Sequence, residues 1–317
     1  MKIAFVGKGG SGKSTVATIF AKHATSHFKE VIAIDADINQ HLGPLLGIQE
    51  EVLKSLPSIG GELSTIRTYV QGENMLIKSP AHFRMTTPPA RGSRAVHAHH
   101  EDELLSRYLT EKDRVYFCTT GEFEHKDVGM VCYHGKTMAT EIILNHLVDT
   151  KDDCIIVDMT AGADAFSTGI FLKFDLVILV VEPTAQSLSV YHQYKEYSKE
   201  YSINLGVIGN KIDDSTDEEF LKNNTLEDYL GSVPYSKEVR NLERQKPISK
   251  EFLKETEKVL AITVEKLKTT EKNWGKFYTD LITLHKKHAK SWLNTAFQTN
   301  FEEQIDEDFD PIAFYSR

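Results

Sequence analysis

Six short apolar runs set the frame of the chain: Lys2 to Val6, Val31 to Ile34, Val115 to Cys118, Cys154 to Val157, Leu176 to Val181 and Leu205 to Gly209. Each is nearly continuously apolar rather than alternating, the pattern of a strand covered on both faces in a parallel sheet. Between them lie stretches with helical spacing at Val16 to Ala21, Met138 to Leu147 and Ser187 to Tyr201. Strand followed by helix, repeated, predicts a three-layer α/β fold with a mostly parallel central sheet. The alternation lapses over residues 49–113. Within that insertion, Asn74 to His100 has no Asp or Glu but carries Lys78, Arg84, Arg91 and Arg94 among three prolines, which reads as an irregular, locally basic loop on the surface. Glu101 to Leu109 then restores a helical pattern. From about residue 251 the chain turns helical and charged, with segments near Glu251 to Lys268 and Glu271 to Phe297. The expected organisation is a domain over 1–250 that carries the insertion, and a helical extension over 251–317 with an acidic tail.

Composition narrows the setting. The 317 residues are 40% apolar and 26% charged, which suffices for a sizeable core. A net charge of −9 argues against general nucleic-acid affinity. Cys118, Cys132 and Cys154 are too few, and odd in number, for a disulfide framework, which favours a reducing compartment. The first apolar stretch stops at Gly7, too short for a signal peptide, and no run approaches the ~18 apolar residues of a membrane span. A cytoplasmic protein with neither membrane nor nucleic acid as partner is expected. Leu281, Leu284, His285, His288 and Trp292 form a helical stripe beside Lys286, Lys287 and Lys290, which would suit a membrane surface. The acids from Glu302 to Asp310 would repel an anionic leaflet, so the stripe is expected to pack on the core or a partner.

Chemistry begins at Gly7 to Thr15, which has the form G-x-x-x-x-G-K-[ST] between a predicted strand and a predicted helix, the setting a phosphate-binding loop requires. The glycines let backbone N–H groups from Gly9, Gly10, Ser11 and Gly12 close on phosphate oxygens at a helix N-terminus. Lys13 is expected at the β and γ phosphates, the Ser14 hydroxyl on Mg²⁺, and Thr15 at the α phosphate. The fold expectation thereby becomes a P-loop nucleoside triphosphatase. Two other strands end in carboxylates, at Asp35-Ala36-Asp37 and at Asp158-Met159-Thr160-Ala161-Gly162, on the sheet edge where open α/β folds bind ligands. Asn210-Lys211-Ile212-Asp213 matches the N-K-x-D guanine signature. His97-Ala98-His99-His100 could bind a soft divalent metal through imidazole, although a solvated loop or partner contact is the favoured reading.

With Lys8 included, the loop reads K-G-G-x-G-K-S-T and resembles the deviant Walker A motif of the MinD, ParA and nitrogenase-iron-protein superfamily. That resemblance implies a homodimer formed around nucleotide, with Lys8 crossing to the partner's phosphates. It also implies Asp35 near the Mg²⁺ shell, Asp37 orienting or deprotonating the attacking water, Asp158 holding a Mg²⁺-bound water, and the Gly162 N–H sensing the γ phosphate. In that superfamily the Asn corresponding to Asn210, beside Lys211, contacts adenine, and a turn such as Val233-Pro234-Tyr235 supports the base, so ATP is favoured over GTP. Leu46-Gly47-Ile48, Val181-Glu182-Pro183 and Gly209-Asn210-Lys211 extend the resemblance, to about residue 245, toward the CooC-type ATPases that accompany nickel insertion into carbon monoxide dehydrogenase. Those relatives carry C-x-C where this chain has Cys132-Tyr133-His134. A closed Zn²⁺ site needs four ligands, and a two-fold dimer doubles a Cys132 and His134 pair, so two readings stand side by side: a shared Zn²⁺ or Ni²⁺ at the dimer axis, or an ordinary loop thiol and a helix-start histidine with the metal function lost. The implied function is a Mg²⁺-dependent ATPase switch that assists metal loading or maturation of a client metalloenzyme. Its rivals are a positioning or partitioning ATPase and a non-catalytic nucleotide-binding module.

Overall fold

The computed structural model describes residues 1–122, 133–160, 168–244, 246 and 249–316. Ten strands lie among them: β1 (Lys2–Gly7), β2 (Glu30–Ala36), β3 (Val96–His97), β4 (Thr110–Lys112), β5 (Val115–Thr119), β6 (Leu147–Val148), β7 (Asp153–Met159), β8 (Leu176–Val181), β9 (Leu205–Ile212) and β10 (Tyr229–Pro234). Eight form one sheet in the order β10-β9-β8-β1-β7-β2-β5-β4, and β3 pairs with β6 apart from it. Every neighbour in the large sheet is parallel except β4 on β5. The expected three-layer α/β fold is what the chain adopts.

The helices are α1 (Lys13–Ala24), α2 (Leu42–Leu46), α3 (Glu50–Ser55), α4 (Leu63–Gln71), α5 (Tyr133–His146), α6 (Ala185–Tyr201), α7 (Ser215–Thr225), α8 (Lys237–Glu243), α9 (Lys250–Thr269) and α10 (Trp274–His288). A π turn (Ala289–Leu293) carries α10 into α11 (Asn294–Phe297), and α12 (Pro311–Tyr315) closes the chain. Side chains alternate across each strand, so neighbouring residues feed opposite layers. Ile3 and Phe5 pack with Val16 and Phe20 of α1 and with Val259, Leu260 and Val264 of α9. Ala4 and Val6 face the other way, toward Ile142 of α5 and Leu188 and Tyr191 of α6. Tyr191 and Tyr194 of α6 are buried, and the Tyr191 hydroxyl donates to Asp228 Oδ2 at 2.9 Å.

Two expectations for the insertion need correction. The basic stretch is irregular but not superficial: Phe83, Arg84, Met85, Thr86, Thr87 and Ala90 are buried. The covering comes from the C-terminal helices. His285 Nδ1 lies 2.9 Å from Thr86 Oγ1, Thr87 Oγ1 donates to Gln304 Oε1 at 3.0 Å, and the Tyr278 hydroxyl donates to the Pro89 carbonyl at 3.0 Å. Arg84 survives burial by donating to the Ala81 and Phe83 carbonyls and by lying over the Phe297 ring. The acidic tail also finds its counterpart here, since Arg91 Nε is 2.8 Å from Asp306. The second correction concerns residues 101–109, which form turns with a 3₁₀ segment at Leu105–Arg107 rather than an α-helix. Asp102 is the cause. Its carboxylate accepts backbone N–H bonds from His97, Leu104 and Leu105, and so competes with a helical ladder.

The stripe on α10 faces inward, with Leu281 and His285 buried. Burial pushes His285 down to about 4, so it is neutral at physiological pH. Among the described residues no helix is long and apolar enough to cross a membrane. The same C-terminal region closes over the start of β1. Lys2 is buried with its ammonium 3.3 Å from Asp149 and 4.7 and 4.5 Å from the ring centres of Trp274 and Phe277. Lys272 pairs with both Asp149 and Asp175.

Candidate nucleotide site

β1 ends at Gly7 and α1 begins at Lys13, so the intervening loop sits over the carboxyl edge of the sheet. Two of its glycines are required by position. A Cβ on Gly7 would come within 2.6 Å of the Val180 carbonyl of β8. Gly12 caps α1 in a left-handed conformation (φ 88°), and a Cβ there would stand 2.1 Å from the Asn210 amide. That contact exposes a role the motif reading missed. Asn210 Nδ2 donates to the Ser11 carbonyl at 2.7 Å, and Lys211 Nζ donates to the Gly10 carbonyl at 2.7 Å. Glu182, just after β8, fixes Lys211 at 2.5 Å. The strand ends of β8 and β9 therefore brace the phosphate loop from the side. Asn210→Ala removes the partner of the Ser11 carbonyl and is expected to weaken nucleotide binding roughly tenfold, read by calorimetry, with the melting temperature little changed.

Sheet register gathers the acids. β2 and β7 are neighbours, and Asp35 stands opposite Asp158 across them. Asp35 accepts N–H bonds from Asp37 at 3.2 Å and Leu42 at 2.8 Å, which ties the start of α2 to the end of β2. Burial and the neighbouring Asp158 raise its carboxyl well above the usual range. Asp37 is held through Oδ1 by the Asn39 backbone and side-chain N–H groups, while Oδ2 lies 3.3 Å from Lys13 Nζ. Lys13 and Asp37 are both nearly enclosed. Lys8 is half-buried and has no side-chain hydrogen bond or ion pair among the described residues.

Asp158 differs from its neighbours. Both of its oxygens are buried without a hydrogen bond from the described residues. Burial raises its pKa to about 7 against the opposing pull of Lys13 and the nearby Ser14 hydroxyl. Buried carboxylates left this way are normally neutralised by a cation. Three carboxylates here face one ammonium, so the donor set of Asp158, Asp35 and the Ser14 hydroxyl fits a hard divalent ion such as Mg²⁺.

Other sequence candidates fall where the strands place them. Thr15 is buried in the first turn of α1. Val233 and Pro234 belong to β10 rather than to a turn, because parallel pairing sets Val233 beside Asn210 and Pro234 beside Ile212. Tyr235 follows, its N–H donated to the Ile212 carbonyl at 2.7 Å, so this backbone donor is already committed. Gly162, Cys132 and the side chain of His134 lie outside the described residues. Cys118 and Cys154 are buried free thiols within the sheet, and burial pushes Cys154 up to about 12.

Residues 3–248 match the family described as the CobQ/CobB/MinD/ParA nucleotide binding domain. The chain belongs to that family. Within it, an uncharacterized ATP-binding protein of Methanocaldococcus jannaschii is 30% identical over 280 residues, covering 85% of this chain and all of the relative. The carbon monoxide dehydrogenase accessory protein CooC of Rhodospirillum rubrum is 26% identical over 242 residues, covering 76% of this chain and 86% of CooC. Among solved structures, the cell division ATPase MinD of Pyrococcus furiosus superposes with a TM-score of 0.54 at 16% identity, over 85% of this chain and 99% of MinD. At that identity the likeness establishes the shared fold. The chain is a MinD/ParA-type nucleotide-binding ATPase domain.

Proposed function

We propose that this protein is a Mg²⁺-dependent ATPase switch that dimerises on nucleotide and assists metal loading or maturation of a client metalloenzyme. The observation that carries the ATPase reading is the convergence of Lys13, Asp35, Asp37 and the unpartnered Asp158 beneath the phosphate loop. Backbone N–H groups from Gly9 to Thr15 cradle the phosphates, and Lys13 spans the β and γ groups. Mg²⁺, held by Ser14 and Asp158 with Asp35 behind them, supplies neutralising charge when bound. Asp37 is placed beside Lys13 to orient the attacking water, a positioning role suited to phosphoryl transfer. Gly162 contributes its N–H at the γ phosphate. Asn210, Lys211, Pro234 and Tyr235 line the route to the base at the ends of β9 and β10, and ATP is the favoured nucleotide. Residues 1–250 act as the catalytic unit, and residues 251–317 act as a brace over it.

Lys8 supports the dimer. It is a loop cation with no side-chain hydrogen bond or ion pair among the described residues, and a second nucleotide would supply a partner. Lys8→Ala is expected to bind ATP as wild type does yet remain monomeric with a non-hydrolysable analogue in analytical ultracentrifugation. A wild-type monomer at saturating analogue would remove the dimer from this reading. The client role rests on the similarity to CooC, an accessory protein of carbon monoxide dehydrogenase, together with Cys132 and His134 at the position of that family's C-x-C. One Zn²⁺ or Ni²⁺ per two chains, dependent on nucleotide and lost in Cys132→Ala, is the expected stoichiometry. The positioning alternative predicts co-sedimentation with liposomes or DNA, which is not expected: Leu281 and His285 of the α10 stripe are already buried against the body.

A further inference from the structure

A second constellation lies at the opposite end of the sheet. Glu30 opens β2, and a strand rises about 3.3 Å per residue, so Glu30 stands on the order of 15 Å from Asp35. The insertion reaches this edge because β3 pairs with β6 and the Ala98 N–H continues the ladder to the Val148 carbonyl at 2.9 Å. This pairing delivers His99 and His100 to Glu30. His99 Nε2 is 3.4 Å from Glu30 Oε1, and His100 Nδ1 is 3.1 Å from both carboxylate oxygens. One atom from each of the three side chains lies within 4.8 Å of the other two.

We propose that Glu30, His99 and His100 form a divalent transition-metal site, separate from the nucleotide and from the Cys132 and His134 pair. Two imidazoles and one carboxylate are a borderline donor set that suits Zn²⁺, Co²⁺ or Ni²⁺ rather than Mg²⁺ or Ca²⁺. The geometry is held before any ion arrives. The His100 ring stacks on Tyr116 with centroids 4.3 Å apart and planes 1° apart, and His99 stacks on His100 at 4.5 Å. The His100 N–H also donates to Glu30 Oε2 at 3.3 Å. Glu30 is largely covered while both rings stay partly open to solvent, which gives an ion a path of entry.

Binding has one identifiable cost. His99 Nδ1 accepts the Glu101 N–H at 3.2 Å, which leaves the ring proton on Nε2. Coordination through Nε2 moves that proton to Nδ1 and gives up this hydrogen bond. His100 coordinates through Nδ1 and keeps its proton on Nε2. Three protein ligands leave a fourth tetrahedral position for water or for a donor from another molecule. A bound ion also staples residues 99–100 of the insertion to the first residue of β2.

The test is a Zn²⁺ titration of full-length Cys132→Ala protein without nucleotide, by calorimetry, with Co²⁺ absorption as a spectroscopic check. That background excludes the dimer-axis pair, so the result stands or falls apart from the proposed client role. One Zn²⁺ per chain is expected, with affinity roughly tenfold weaker or worse in His100→Ala, His99→Ala and Glu30→Gln. His99 is the most exposed of the three, so its loss should leave the circular dichroism spectrum unchanged and the variant interpretable. Zn²⁺ should raise the melting temperature of the background protein and not that of His99→Ala. Absence of binding in the background, unchanged affinity in the folded His99→Ala variant, or loss only in His97→Ala would each overturn the proposal.

Discussion

Lys13→Ala is expected to lower nucleotide affinity by roughly 100-fold or more, whereas Asp37→Ala should keep affinity near wild type and lose turnover by a similar factor. The difference follows from what each change leaves behind. Lys13 is the ammonium 3.3 Å from Asp37 and acts against the charge of Asp158. Its removal leaves enclosed carboxylates facing a polyphosphate, and an uncompensated buried charge costs about 3–5 kcal/mol. Removing Asp37 instead takes away negative charge and frees Lys13, so binding is unchanged or tighter. The water then lacks its orienting carboxylate. Calorimetry with a non-hydrolysable analogue and a phosphate-release assay separate the two effects. Equal phosphate release by wild type and Asp37→Ala would remove Asp37 from the proposed mechanism.

Asp158→Asn should abolish Mg²⁺-dependent turnover and, without metal, make the protein more stable at pH 8. The folded-state pKa of about 7 lies above the usual aspartate value of 3.8. Between these values the folded protein holds a proton that the unfolded chain has released. Stability without metal therefore falls as pH rises from about 4 to about 7, and the deficit persists above that. Asparagine carries no charge to bury, so its melting temperature should exceed that of wild type by several degrees at pH 8, with the gap closing near pH 4. Mg²⁺ should narrow the gap at pH 8 by stabilising wild type alone. Differential scanning calorimetry across pH, with and without Mg²⁺, is the measurement. A variant less stable than wild type at pH 8 without metal would show that Asp158 is not the destabilised acid its burial indicates.

The sheet and phosphate loop were legible because their determinants are local. A run such as Leu176 to Val181 can only satisfy its backbone and side chains together in a covered strand, and a glycine-rich loop before Lys13 carries its own geometry. The acids at Asp35 and Asp158 were visible as strand ends; their pairing across β2 and β7 required only the strand order. What stayed hidden depends on distant partners. Thr86 meets His285, 199 residues away, and nothing within the basic stretch announces that covering. The bracing of the Ser11 carbonyl by Asn210 spans another 199 residues. β10 escaped recognition because Gly231, Ser232 and Pro234 dilute its apolar signal, as an edge strand allows. Residues 101–109 have helical spacing, but Asp102 captured the backbone donors that a helix would have used.

The enclosure of Lys2 has a consequence for the birth of the molecule. The lysine of β1 is synthesised before its partners, and it waits for Asp149 as counter-ion and then for Trp274 and Phe277 as aromatic walls. At about 5–20 residues per second, a ribosome needs on the order of tens of seconds to add the residues between them. Until Trp274 and Phe277 follow, the central strand can pair with β7 and β8 only with its lysine, beside Asp149, still open to water. The final enclosure of β1 thus comes only after Trp274 and Phe277 have been made, well after the strands that pair with it.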